Sequence, residues 1–267
     1  MPKNKRVGQK LYNLTNLSTI MKVALIQIAT IEEQPKKNLA KIIEFAKKAQ
    51  AKGAKIIMFH EGTLTDYVGD VDKFAQEVPN GSACKTIGKL ANELNAYISF
   101  GLIEKEGIRR HITQVFLGPN NFVYKYQKAW LYPTTYRIKS IRRHRNEPDD
   151  FDPGKGPDIF EIEGIKASCF ICNDAGAKRS FKVLRQLSPQ LIFFPNNREM
   201  WRPNEYWGDI AKSCGAPLLI TNRVGTSWGE ECEGGCSVYS KNGELLAEAN
   251  KYGKEEILLF DLKKLGL

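Results

Sequence analysis

From Met21 onward, short apolar runs alternate with stretches of helical period, and that rhythm leaves few folds open. "KVALIQIA" reads as a strand. "PKKNLAKIIEFAKKAQAKGA" places Leu39, Ile42, Ile43, Ala46 and Ala49 on one helical face, with Pro35 suited to the first turn and Gly53 to a C-terminal cap. "AKIIMFHEG" then reads as a buried strand, "SACKTIGKLANELN" as an amphipathic helix and "AYISFGLIEKEG" as a third strand, giving βαβαβ. "ITQVFLGPNNFVYKYQK" predicts a hairpin about Pro119-Asn120-Asn121, and "DIFEIEGIKASCFIC" another about Glu163-Gly164. "FKVLRQLS" and "NEYWGDIAKSCGA" predict helices around the buried strand "QLIFFPNN". "PLLITNRVG", "CSVYSKNGELLAEAN", with Asn242-Gly243 as its turn, and "EEILLFDL" close the chain as strands. The pattern predicts one α/β domain over residues 21–267, with mixed sheets and helices outside.

A long polar loop from about Tyr132 to Pro157 interrupts this order, and loops of that length inside a compact domain tend to be functional. Residues 1–20 are polar and basic. They read either as a flexible arm or as an extension upstream of a start at Met21.

Hydrophobic residues make up 42% and charged residues 26%, which allows a sizeable core and argues against global disorder. The net charge of +10 owes four charges to Lys3, Lys5, Arg6 and Lys10 in the acid-free arm. No basic helix or aromatic-basic ladder accompanies it, so nucleic acid is a poor candidate partner. No run approaches the roughly 20 apolar residues of a membrane span, and no signal-peptide core is present. With six cysteines and no secretory signal, the expectation is a reducing, cytoplasmic setting with free thiols.

Of the three histidines, His111 lies in a polar stretch and His144 in a basic cluster, so a Cys-His dyad is weakly supported. Cys169 and Cys172 have C-x-x-C spacing but read as one strand with opposed side chains, and no second pair completes a metal site; Cys232 and Cys236 lack histidine partners. Three strand-end residues remain: Glu61 after "KIIMFH", Lys128 after "FVYKYQ" and Cys172 after "KASCFI". Singly, each has a bland reading as a solvated charge or a small core filler. Together they form a working set in which a carboxylate takes the thiol proton, an ammonium stabilises an oxyanion and a thiolate attacks.

On these motifs the chain resembles the nitrilase superfamily of carbon-nitrogen hydrolases from Met21 to Leu262. Glu61 stands in "FHEGTLTDY" with Tyr67 at the usual distance, Lys128 in "YKYQKAWL", Cys172 in "CFICND", and Glu147 in "NEPDDFDPG" as the family's second glutamate. The resemblance implies a four-layer αββα sandwich, paired as a homodimer or higher homo-oligomer through its outer helices. It implies Glu61 as general base and later general acid, Lys128 as oxyanion holder, Cys172 as the thioester-forming nucleophile and Glu147 as a residue that orients Lys128 or helps in proton transfer, with no metal or cofactor. Asn173, Tyr67 and Asn197 follow as substrate-binding candidates, Asn173 through its backbone N–H.

The chain departs from the family pattern at His60, where a proline is customary, and after Asp174, where "AGAKRS" replaces the usual aromatic-Pro-Glu. Lys178 and Arg179 read either as ligands for a substrate carboxylate or as a solvated helix start, and the basic stretch Arg137 to Arg145 either as an anion-selecting rim or as a solvated loop. The leading functional expectation is hydrolysis of a linear amide or N-carbamoyl compound. Nitrile hydrolysis and a catalytically inactive binding protein of the same fold are the alternatives.

Overall fold

A computed structural model describes residues 21–120, 122–133, 136–138, 143–198, 203–227, 229–250 and 253–267, with the side chains of 136–138 and 143–145 outside the description. The first half comprises β1 (Lys22–Gln27), α1 (Pro35–Ala51), β2 (Ala54–Met58), a single turn α2 (Val71–Phe74), α3 (Ser82–Leu94), β3 (Tyr97–Glu106), β4 (Arg109–Leu117) and β5 (Phe122–Gln127). The long loop is less irregular than its sequence suggests. It holds a short strand pair, β6 (Tyr136–Ile138) and β7 (Arg143–Arg145), and the turn α4 (Glu147–Asp150). There follow β8 (Phe160–Ile162), β9 (Ile165–Cys169), a 3-10 turn at Cys172–Gly176, α5 (Lys178–Leu187), β10 (Leu191–Pro195) and α6 (Asn204–Cys214). The last strands are β11 (Leu218–Thr221), β12 (Val224–Ser227), β13 (Glu230–Glu233), β14 (Ser237–Tyr239), β15 (Leu245–Glu248) and β16 (Glu256–Asp261).

Two six-stranded sheets carry the fold, in the orders β16-β1-β2-β3-β4-β5 and β15-β14-β11-β10-β9-β8. In each, three central strands run parallel and the flanking strands antiparallel. Period-two alternation explains the layering. Along β1, Val23 and Leu25 enter the core shared with the second sheet, while Ala24 and Ile26 pack with Ile42, Ala46 and Ala49 of α1 and Ile87 of α3. Aromatic rings join the sheets, Phe116 lying 4.8 Å from Phe160 and 5.3 Å from Phe193 between centroids. Leu184 of α5 and Trp207 and Ile210 of α6 cover the second sheet. The result is the expected αββα sandwich. Among the described residues no helix is long and apolar enough to cross a membrane.

Candidate active site

The chemistry-bearing residues sit where strands end, so the sheets fix their backbones while the side chains meet beyond the last ladder bonds. Glu61 lies three residues past β2, and its N–H donates to the Asn196 carbonyl after β10 at 3.2 Å, joining the two sheets at this end. Lys128 directly follows β5. Its N–H donates to the Ile112 carbonyl at 2.8 Å, and its own carbonyl accepts from Gly154 N–H at 2.8 Å. Glu147 opens α4, and Cys172 opens the 3-10 turn after β9. At φ +42° Cys172 occupies the left-handed region, an uncommon backbone state for a side chain other than glycine. Cys169 ends β9 and Cys172 lies beyond it, so the two are not on one strand as the sequence suggested: the chain leaves the ladder to make the turn.

Lys128 Nζ donates to Glu61 Oε1 at 2.8 Å and to Glu147 Oε1 at 2.9 Å, and all three side chains are buried. Glu147 Oε2 accepts from Tyr132 N–H at 2.6 Å, whereas Glu61 Oε2 is buried without a hydrogen-bond partner. Burial works against the Lys128 charge, but Glu147, Glu61 and Cys172 outweigh it and hold the ammonium well above its ordinary range. Burial raises the Glu147 carboxyl against the pull of Lys128. The Cys172 thiol is pushed up to about 11, first by burial and then by Glu61, with Arg198 and Lys128 opposing. At neutral pH it is therefore a thiol, and attack requires a base to remove its proton. The carboxylate oxygen left free on Glu61 suits that task.

Asp174 was not singled out in the sequence as anything beyond a family position, yet it locks the Lys128 and Cys172 segments together. Its Oδ1 accepts Ala129 N–H at 3.1 Å and Trp130 N–H at 2.6 Å, and its Oδ2 accepts Tyr126 O–H and Ile171 N–H, each at 2.8 Å. Burial lifts this carboxyl to about 6 against those bonds. The Asn173 side chain reinforces the same junction, Nδ2 donating to the Trp130 and Leu131 carbonyls at 3.3 and 3.1 Å. Arg198 was missed as well. Its Nη2 donates to the Cys172 carbonyl at 3.2 Å and its Nε to Asn196 Oδ1 at 3.0 Å, while the guanidinium stands 5.6 Å from the Trp207 ring.

Glu61, Tyr67, Glu147 and Asn197 line one cavity, walled by apolar residues including Val68, Ile103 and Phe151. Lys178 and Arg179 are not among its lining; both are exposed in the first turn of α5, because the turn ending at Gly176 directs that helix start to solvent. The basic side chains from Arg137 to Arg145 lie outside the described residues, as does the arm 1–20. His60 is buried, its Nδ1 2.8 Å from the Glu61 carbonyl, and burial pushes the ring down to about 3, so it is neutral. His111 is also buried, contrary to its polar sequence setting, since β4 lies inside the sheet; its Nδ1 is 2.8 Å from the Asp152 carbonyl. Among the described residues no His, Cys, Asp and Glu cluster could hold a metal ion.

The family model for carbon-nitrogen hydrolases matches residues 22–264. The chain belongs to that family. This carbon-nitrogen hydrolase is 27% identical to a nitrilase from Pyrococcus abyssi over 88% of its own length and 87% of the relative's. It is 23% identical to an (R)-stereoselective amidase from Pseudomonas sp., over 92% and 86%. Among solved structures it resembles a variant of the amidase from Nesterenkonia sp. AN1 that carries the acetamide moiety of fluoroacetamide covalently added at the active-site cysteine. That likeness has a TM-score of 0.78 at 22% identity and covers 92% of this chain and 91% of the other.

Proposed function

We propose that this carbon-nitrogen hydrolase is an amidase, cleaving the C–N bond of a linear amide or N-carbamoyl compound through a thioester on Cys172. The observation that carries the proposal is the buried ammonium of Lys128 clamped between Glu61 and Glu147 within electrostatic reach of the Cys172 thiol. Two carboxylates on one lysine leave an acceptor spare for proton transfer while the cation stays charged.

In the first half-reaction Cys172 Sγ attacks the carbonyl carbon and its proton passes to Glu61. The developing oxyanion is held by Lys128 Nζ and by the backbone N–H of Asn173. Glu61 returns the proton to the nitrogen, the C–N bond breaks, and ammonia or an amine leaves. Water, deprotonated by Glu61, then attacks the thioester; the acid leaves and Cys172 regains its proton. Glu147 keeps Lys128 in place through both halves, and its own position is fixed by Tyr132 N–H. The covalent adduct carried by the Nesterenkonia amidase variant supports a cysteine nucleophile here.

Glu61 and Glu147 line one cavity with the apolar Val68, Ile103 and Phe151, and Cys172 lies outside that lining. Ammonia release from short aliphatic amides, ω-amides and N-carbamoyl amino acids, run beside Cys172→Ala, tests the proposal. Release that needs Cys172 and falls away in Glu61→Gln is expected. Release that survives Cys172→Ala would sink it.

A further inference from the structure

The steps above leave Arg198 unused, although its guanidinium reaches the backbone of the nucleophile. β10 lies beside β9 and parallel to it, so the segments leaving their C-terminal ends run side by side, one carrying Cys172 and the other Arg198. One buried side chain holds the Arg198 main chain at both its polar groups. Arg198 N–H donates to Asn222 Oδ1 at 3.0 Å, and Asn222 Nδ2 donates to the Arg198 carbonyl at 3.2 Å and to the Gly234 carbonyl at 2.9 Å. The side chain is held as well. Its Nε donates to Oδ1 of Asn196, whose own Nδ2 is turned away to the Phe194 carbonyl at 2.9 Å, and the guanidinium stands over the buried Trp207 ring. Nη2 is thereby brought to the Cys172 carbonyl at 3.2 Å.

That carbonyl belongs to a residue in an unfavourable backbone state. At φ +42° the β-carbon crowds the carbonyl oxygen that follows it, so Cys172 stays in the left-handed region only if its surroundings hold it there. A cationic donor on that oxygen does so more strongly than a neutral one. The same contact sets a distance. Four bonds separate a cysteine's carbonyl oxygen from its sulfur, so Nη2 lies within about 8 Å of Sγ. Besides burial, Glu61 and Glu147 work against a thiolate at Cys172, while Arg198 and Lys128 favour one, Arg198 ahead of Lys128. Lys128 comes bound to both glutamates; Arg198 bonds to the nucleophile itself. Building on the reading of Cys172 as the nucleophile, we infer that Arg198 is its positioning residue: the guanidinium holds the Cys172 carbonyl, keeps the turn in its left-handed state and sets a second cation beside the thiolate formed as the proton leaves for Glu61. Its role is toward Cys172 and not toward the substrate.

The test reads Cys172 directly. Iodoacetamide reacts with the thiolate, so below the thiol's pKa the labelling rate at a fixed pH follows the thiolate fraction. A unit charge within about 8 Å in a half-buried setting moves a titration by about one pH unit. Arg198→Gln keeps a donor and removes the charge, so Cys172 of the full chain should alkylate about tenfold more slowly than in the unaltered protein at every pH from 7 to 9. Arg198→Lys, which restores the charge, should recover at least about threefold of that loss. A residue that serves packing alone would lower the urea midpoint and leave these rates in place. Gln-variant rates within about twofold of the unaltered protein, or a lysine variant no faster than the glutamine one, would overturn the inference. For propionamide, kcat should fall about tenfold with KM within about twofold of its value in the unaltered protein. A raised KM at unchanged kcat would make Arg198 a substrate ligand and overturn the positioning role. If the glutamine variant does not fold, Arg198→Met, which keeps an apolar stem against Trp207, takes its place with the same thresholds. Slowed alkylation in the variant, with no amide turned over by the unaltered protein, removes the amidase reading and leaves the role of Arg198 at Cys172 standing.

Discussion

Replacing Lys128 by methionine keeps much of the side-chain volume and removes the charge that two buried glutamates share. Breaking a buried ion pair from one side costs about 3–5 kcal/mol, since the remaining charge has no partner. Here two charges are stranded, so at pH 8 the variant should lie at the upper end of that range. The deficit must also depend on pH. Burial already holds the Glu147 carboxyl above its ordinary value, and Lys128 is the main influence drawing it down. Without the lysine the folded pKa rises further. A carboxyl raised in the folded state contributes stability that is fully present below its unfolded value, about 4.3, and is lost as pH climbs through the folded value. The deficit should therefore shrink from pH 8 toward pH 5, by about 1.4 kcal/mol for each unit by which the folded pKa exceeds the assay pH. Urea unfolding of both proteins, followed by tryptophan fluorescence at pH 5, 6.5 and 8, measures it. A deficit below about 1 kcal/mol, or one equal at all three values, would refute the claim that Lys128 neutralises Glu61 and Glu147. Ammonia release by the variant should be about a hundred- to a thousandfold lower, the scale of losing one oxyanion donor.

Cys172→Ala should abolish turnover while shifting the urea midpoint little, because the half-buried thiol is replaced by a smaller side chain with no polar partner lost. Iodoacetamide should label Cys172 ahead of Cys84, Cys214 and Cys236, which burial lifts to about 12; with the Cys172 thiol near 11, its labelling rate should still be climbing at pH 9, and a plateau below pH 8 would contradict that. Asp174→Asn turns an acceptor-only group with four donors around it into one that can accept from only one side; a loss of about 2–4 kcal/mol is expected, with slower Cys172 alkylation as the sign that the turn itself has moved.

The strands and long helices were legible because each has one buried face, and burial imposes a period on the residues. Even the hairpin turn Glu163-Gly164 was readable from composition, and both residues adopt positive φ. The pair β12 and β13 was not, since "VGTS" and "EECE" place few side chains inside and so lack a two-residue apolar alternation. The same logic divides the site. Glu61, Lys128 and Cys172 were visible as charges or a thiol at the ends of apolar runs, whereas Glu147, in a polar segment, was reached only through the family resemblance. Asp66 and Arg223 lie 157 residues apart and meet only through the fold, so neither carries a local signal. Asp174 next to Cys172 looked like part of a motif, but its four donors come from both sides of the chain crossing and cannot be read from one segment. Lys178 and Arg179, which the sequence left open between carboxylate ligands and a solvated helix start, stand exposed in the first turn of α5.

Glycines are where sequence and site meet most closely, and Gly101 gives the sharpest case. It lies in β3, paired with Gln114 of β4, while the Glu61–Gly62 backbone passes over its α-carbon. A β-carbon there would press on Gly62 N and come within 2.9 Å of the Glu61 carbonyl carbon and 3.0 Å of the His60 oxygen, all of them backbone atoms. β3 is held by β2 on one side and β4 on the other, so the loop carrying Glu61 must be the part that moves. Overpacking of this kind costs about 1–3 kcal/mol, and a displacement near 1 Å of a reacting group costs about a hundredfold in rate. Gly101→Ala should therefore lose far more turnover than its modest loss of stability would suggest. Gly88 supplies the control. It sits in α3 with open space where a β-carbon would go, and Gly88→Ala should gain about 0.5–1 kcal/mol with turnover unchanged. If Gly101→Ala keeps full ammonia release at 25 °C, then the position of Glu61 is not set by this backbone contact, and the close approach of β3 serves packing alone.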